Sequence, residues 1–198
     1  MKPSAARSQP ASPPTRNAIL EAATRAFAGK GYSNTTMDDI AAMAGVSRRI
    51  IYHHFASKRE ILEAASVEQS SRFLDEVRAA VPADQPFDDY VFGCLCHIIE
   101  KAPSSPLFTL DIARDTDLDP VALYFGSPDI INAWVELFRG PYTEALRSRT
   151  LRPEVRLEKL VAWFGRITTS YLKYPLPGET QEEIRDSLRV FFVTALRP

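Results

Sequence analysis

Residues 35–62 read TTMDDIAAMAGVSRRIIYHHFASKREIL, and the spacing of their apolar and polar side chains decides what the chain folds into. Thr36 stands before Met37-Asp38-Asp39, so a hydroxyl can accept from free backbone N–H groups while two acids sit at the positive end of the helix dipole. This predicts a short helix from Met37 to about Ala44, ended by Gly45. Ser47 then caps a second, Arg48 to His54, with Ile51 and Phe55 inward at i, i+4 spacing. Ala41 is small where the two helices must approach, Gly45 permits the tight turn, and Ile40, Val46 and Ile51 fix the crossing by burial. A helix, a glycine turn and a second helix rich in cationic and hydrogen-bonding groups is helix-turn-helix logic. The outward side carries Arg48, Arg49, Tyr52 and His53, with Lys58 just beyond. These guanidinium, hydroxyl, imidazole and ammonium groups grip phosphates and base edges.

Upstream, Ile19, Ala22, Ala23, Ala26 and Phe27 recur on one face of a helix that begins near Thr15, and Gly29 and Gly31 are expected to end it. Downstream, Ser57-Lys58-Arg59-Glu60 is a capping box opening a long fourth helix through Ile61, Leu62, Ala65, Phe73, Leu74 and Val77, closed by Pro82. Further helices are expected at Phe87–Lys101, Leu107–Asp115, Asp129–Arg149, Glu154–Tyr174 and Thr180–Leu196, with Gly140-Pro141 kinking or splitting the third of these. No stretch alternates with the two-residue period of a half-buried strand. The sequence therefore predicts an all-α chain: a flexible proline-rich tail at 1–14, a three-helix helix-turn-helix domain at 15–60 and a larger helical bundle at 61–198.

The 198 residues, 45% hydrophobic and 25% charged, suffice to bury a core without disulfides or metals and are too apolar for a disordered chain. No apolar run approaches the roughly 18 residues of a membrane span, and the first thirty residues lack the apolar stretch of a secretory signal. Cys94 and Cys96 lie too close in sequence to join distant segments, which fits a reducing compartment. The expectation is a cytoplasmic protein with no membrane partner. A net charge of -1 hides an asymmetry, because residues 1–60 hold nine Lys/Arg against four Asp/Glu and the remainder holds 15 against 21. A basic segment joined to an acidic one points the first part at a polyanion.

On these residues the chain resembles the TetR family of bacterial transcription regulators. The run 35–62 is similar to that family's N-terminal domain, and ILEAATRAFAGKGY at 19–32 to its first helix. The remainder is similar only in length and helical content. The resemblance implies a homodimer that blocks transcription at a palindromic operator in double-stranded DNA and lets go when a small molecule enters the C-terminal bundle, with no cofactor and no catalysis. Where the family commonly shows a small residue and then threonine before its Leu-Tyr-x-x-Phe segment, this chain has Arg49 and Ile50, which leaves operator preference open.

Arg48, Arg49 and Ile50 are the expected base contacts. An arginine can bond a guanine edge through two N–H groups and Ile50 can meet a thymine methyl, each worth about 1–3 kcal/mol of discrimination. Phosphate binding alone is the alternative for either arginine. Thr36, Ser47, Tyr52, His53 and Lys58 are assigned to phosphates, and Tyr52 and Lys58 match family positions. For His53 and His54 a solvated surface and helix packing are the competing readings.

In the larger half, Phe92, Cys96, Phe108, Trp134, Phe138, Trp163, Ile167 and Tyr171 are candidates to line an effector pocket, although each alone could be plain core. Few charges share their faces, so a largely apolar molecule is expected. Leu157, Leu160, Val161, Phe164, Ile184, Leu188, Phe191 and Phe192 exceed one buried stripe and are assigned to a four-helix dimer interface. A metal site is not expected: Cys94 and Cys96 fall about 200° apart on a helix, and Cys94 with His97 lacks a third ligand. An enzyme using His97 with Asp111 or Glu100 is the rival of a different class. No glycine-rich phosphate loop, HExxH or GxSxG supports it. A helical adaptor that binds protein is the other.

Overall fold

A computed structural model describes residues 16–104 and 127–198. The expected helix Leu107–Asp115, and with it Phe108 and Asp111, lies outside the described residues. Among the described residues the regular structure is helical: α1 (Arg16–Lys30), α2 (Met37–Ala44), α3 (Arg48–His54), α4 (Lys58–Ala80), α5 (Phe87–Lys101), α6 (Pro128–Arg147), α7 (Leu157–Lys173) and α8 (Gln181–Phe191). Short 3-10 turns follow at Ala102–Ser104 and Val193–Leu196. The chain divides into two compact units after Ala65, with α4 beginning in the first and ending in the second.

In the N-terminal unit α1 packs along α2, and α2 against α3. Ile19, Leu20, Ala22, Ala23, Ala26 and Phe27 of α1 are buried, as are Ile40, Ala41, Ile51, Phe55, Ile61 and Leu62. Val46 is half-buried. Thr35 locks the α1–α2 loop by donating its hydroxyl to the Gly31 carbonyl at 2.7 Å and lying 3.3 Å from that of Ala26. Gly29 does not end α1, which runs on to Lys30; Gly31, at φ 79°, makes the left-handed exit. A single glycine inside a helix costs only about 1 kcal/mol, so one face of buried residues carries α1 through it.

The C-terminal unit is built around α5. Eight of its residues, Phe87, Tyr90, Val91, Cys94, Leu95, Cys96, Ile98 and Ile99, are buried, because α6, α7, α8 and the final 3-10 turn all pack on it. Phe138 of α6 is fully buried and gathers the rings of Phe87, Tyr90, Trp134 and Phe164 within 5.1–6.5 Å. Pro141 does not split α6, which runs unbroken to Arg147. Proline removes one backbone donor there, but Trp134, Leu137 and Phe138 are buried before it and Ala145 after it, so packing holds both halves in line. Thr180 and Glu183 form a capping box on α8, and the chain tightens into the 3-10 turn after Phe191 instead of continuing as one helix to Leu196. Arg185, Arg189 and Arg197 reach Glu100, Asp89 and Asp88 of α5 at 3.4, 3.8 and 2.5 Å.

Candidate functional site

The turn between α2 and α3 is set by local chemistry. Thr36 accepts the Asp39 N–H at 3.1 Å, and the Asp39 carboxylate accepts the Thr36 N–H at 2.9 Å. Lys30 anchors the same carboxylate at 2.5 Å. That ammonium, and then the Thr36 hydroxyl and N–H, hold the Asp39 carboxyl well below the ordinary carboxylate range. Gly45 ends α2 at φ 69°, a conformation that favours glycine, and the Val46 N–H closes back on the Ala41 carbonyl at 3.0 Å. The helix α3 therefore starts at a fixed place. Ile51 and Phe55 turn inward, and Arg48, Arg49, Tyr52 and His53 stay outward in solvent.

The outward groups differ in how they are held. Arg48 pairs with Asp38 of α2 at 3.1 Å, and its guanidinium lies 5.5 Å from the centre of the Tyr52 ring. Arg49 is exposed and has no ion-pair partner among the described residues. Ile50 is half-buried, His53 is exposed with its ring edge-on to that of His54, and Tyr52 is 45% exposed. His54 is exposed as well, which corrects its reading as a packing residue. Ser47 occupies the N-cap position of α3 but makes no side-chain cap bond, so its hydroxyl is not engaged there. The Thr36 hydroxyl, by contrast, is bound to Asp39 as donor and as acceptor.

Lys58 departs from its expected place. Its ammonium donates to the carbonyls of Tyr32 at 2.6 Å and Thr35 at 2.7 Å, lies 3.4 Å from that of Ser33, and sits 4.3 Å from the centre of the Tyr32 ring. An ammonium has three donors, and these partners match all three. The side chain ties the start of α4 to the α1–α2 loop and does not present itself to a phosphate. Spacing could not reveal this, because the acceptors are loop carbonyls 23 to 26 residues away in sequence.

The seven expected pocket residues that lie among the described ones do not converge. Phe138 is the hub of the aromatic core, Cys96 is buried in the same core, and Trp163 points outward at 57% exposure. Phe92, Ile167 and Tyr171 are half-buried against the core, and Arg189 lies over the Phe92 ring at 4.3 Å. Trp134 alone of the described candidates lines a groove of about 440 Å³, shared with Ile131 of α6 and with Val161, Phe164, Gly165 and Thr169 of α7. The expected interface residues are corrected likewise. Leu157, Leu160, Val161, Phe164, Ile184, Leu188 and Phe192 are buried within the chain's own C-terminal unit, where α5 and α6 absorb the apolar surplus; Phe191 stands outward at 82% exposure.

A second cavity, of about 470 Å³, was missed from the sequence. Gln69, Arg72, Phe73 and Glu76 of α4 form one wall, and His97, Lys101 and Ser104 lie across from them. The signal is the polar set Gln69, Arg72 and Glu76 at i, i+3 and i+7 on α4, which an apolar search passes over. Cys94 is sealed nearby in the core, and burial pushes its thiol up to about 12 against the smaller opposing pull of the Tyr90 hydrogen bond. No group of three or more His, Cys, Asp or Glu able to hold a metal occurs among the described residues, and no described helix is long and apolar enough to cross a membrane.

Residues 19–65, which contain the whole α1 to α3 arrangement apart from the first turn of α1, match the model of the bacterial regulatory proteins of the tetR family. The segment at 19–65 is therefore similar to the N-terminal domain of the TetR family. The Pseudomonas putida protein named as the HTH-type transcriptional regulator ArpR is 47% identical over 81 residues, 41% of this chain and 37% of that protein. The HTH-type transcriptional regulator TtgR of Pseudomonas putida is 52% identical over 50 residues, 25% of this chain and 24% of that protein. These matches therefore span less than half the length of either relative. The fold extends further than the sequence likeness. The fatty acid degradation regulator FadR from Bacillus halodurans superposes with a TM-score of 0.64 over 94% of this chain and 98% of that one, at 16% identity. FadR from Bacillus subtilis, solved in complex with stearoyl-CoA, gives 0.64 over 92% and 100%, at 17% identity. The matched segment has the helix-turn-helix arrangement, and the C-terminal unit has the helical architecture of these solved neighbours.

Proposed function

We propose that this protein is a transcriptional repressor that binds a palindromic operator as a homodimer in the cytoplasm and releases it when a small molecule enters the C-terminal unit. Residues 15–60 read the DNA, and 61–198 hold the effector and the second copy. One observation carries the reading: α3 turns Ile51 and Phe55 into the core while Arg48, Arg49, Tyr52 and His53 all face solvent. A helix so divided fits its outer face into the major groove, where guanidinium groups meet guanine edges and phosphates together. Arg49, free of ion pairs among the described residues, is the base reader, Ile50 adds an apolar contact, and Arg48, Ser47, Tyr52 and His53 face the backbone. A mobility-shift assay on the DNA upstream of the protein's own gene tests this. Binding that weakens steeply as salt rises is the expected result; indifference to every duplex at low salt removes the reading.

The second copy is assigned to the groove between α6 and α7. Its rim carries Ile131 and Tyr174, both exposed, and the 57% exposed Trp163 stands on the same helix as Val161 and Phe164. An open apolar groove beside exposed aromatic rings is what a helical homodimer covers. Trp163→Glu is expected to turn a dimer into a monomer at micromolar concentration, measured by sedimentation velocity.

A further inference from the structure

The cavity between α4 and the end of α5 carries a chemistry that the α6–α7 groove lacks. His97 Nε2 is buried there without a hydrogen-bond partner among the described residues. A buried ring nitrogen left unpaired is a standing cost that an incoming polar group removes. The Phe73 ring lies 6.2 Å from the imidazole, tilted by 34°, and places an apolar wall beside that nitrogen. Two cations, Arg72 and Lys101, also line the space. Their carboxylate partners, Glu68 at 2.5 Å and Glu100 at 2.9 Å, are not among its described lining residues; Glu76 is the acid that is. The space thus has the unpaired imidazole nitrogen and two cationic side chains on its borders and the Phe73 ring as an apolar wall, a set that suits a carboxylate with a short hydrocarbon part.

We propose that this cavity holds the carboxylate end of a small organic acid, with His97 Nε2–H donating to the carboxylate, Lys101 and Arg72 supplying the opposite charge, and Phe73 covering the hydrocarbon part. The assignment rests on the reading of the C-terminal unit as the effector-binding half and gives that effector a class. To the largely apolar molecule expected from the sequence it adds a charged end. A volume of about 470 Å³ suits a compact acid.

Calorimetric titration of the full chain, without DNA, with 3-phenylpropionate and with its neutral counterpart 3-phenylpropan-1-ol tests the proposal. The acid is expected to bind about tenfold more tightly than the alcohol. Lys101→Met, a surface change that leaves the core intact, is expected to remove most of that preference without altering alcohol binding. His97→Leu is expected to do the same, and His97→Gln, which keeps a polar atom, to retain part of it. Equal affinities for the two probes, no heat from the acid, or acid binding untouched in Lys101→Met overturns the proposal. Operator binding by the same preparations is measured separately. Intact operator binding with no acid binding sinks the cavity assignment alone, and acid binding without operator binding sinks the repressor reading alone.

Discussion

In the N-terminal unit the residues proposed to face a partner stand on the outside of a small core whose inward positions follow helical spacing, whereas in the C-terminal unit they border spaces between helices far apart in sequence. The first kind of site is written in a single run of about 20 residues. The second exists only after three helices and the final 3-10 turn have packed on α5. The two units therefore answer substitution differently: outward changes in the first alter binding while the fold stands, and most aromatic changes in the second alter the fold itself.

The largest expected effect is at the hub of the C-terminal unit. Phe138→Ala should lower stability by about 3–5 kcal/mol, the usual cost of emptying a buried phenylalanine site, seen as a shift of the urea midpoint. A variant of normal stability that lost only effector affinity would return Phe138 to the pocket and erase the contrast. On the outer face of α3, Arg49→Ala should weaken operator binding by about 1–3 kcal/mol, concentrated at one base pair. Single-base operator variants read by mobility shift check it, and a loss spread evenly over all variants makes Arg49 a phosphate contact only. Lys58→Met should cost about 2 kcal/mol of stability, since hydrogen bonds from a charged group to loop carbonyls are lost. It should leave the salt dependence of DNA binding unchanged, whereas a phosphate contact would lower that slope by about one unit.

The smallest effect concerns acid. The Asp39 carboxyl is held below its ordinary value of 3.8, so it binds protons less readily folded than unfolded. Its contribution is fully present above pH 4 and is lost as the pH falls through the depressed folded value. Far-ultraviolet circular dichroism should show Asp39→Asn shedding less of its stability below pH 4 than the parent chain.

What could be read from the sequence follows the same contrast. Thr36, Gly45, Ile51 and Phe55 declare themselves because caps, a left-handed turn and i, i+4 burial are local properties. Lys58 did not, since its acceptors lie on a loop more than 20 residues upstream. Phe164 and Leu188 looked like surplus apolar surface because periodicity counts apolar faces without saying whether a neighbour in the same chain covers them. The reverse error hid the α4–α5 cavity, where Arg72 and Glu76 read as an ordinary solvated stripe until His97 is set opposite.

The contact between Arg48 and Asp38 has one more consequence. A carboxylate already occupies the guanidinium, so any phosphate that claims Arg48 must evict a resident anion and leave it facing the polyanion. On the proposed reading Asp38 is a built-in competitor for Arg48, by the small margin of a solvent-exposed pair.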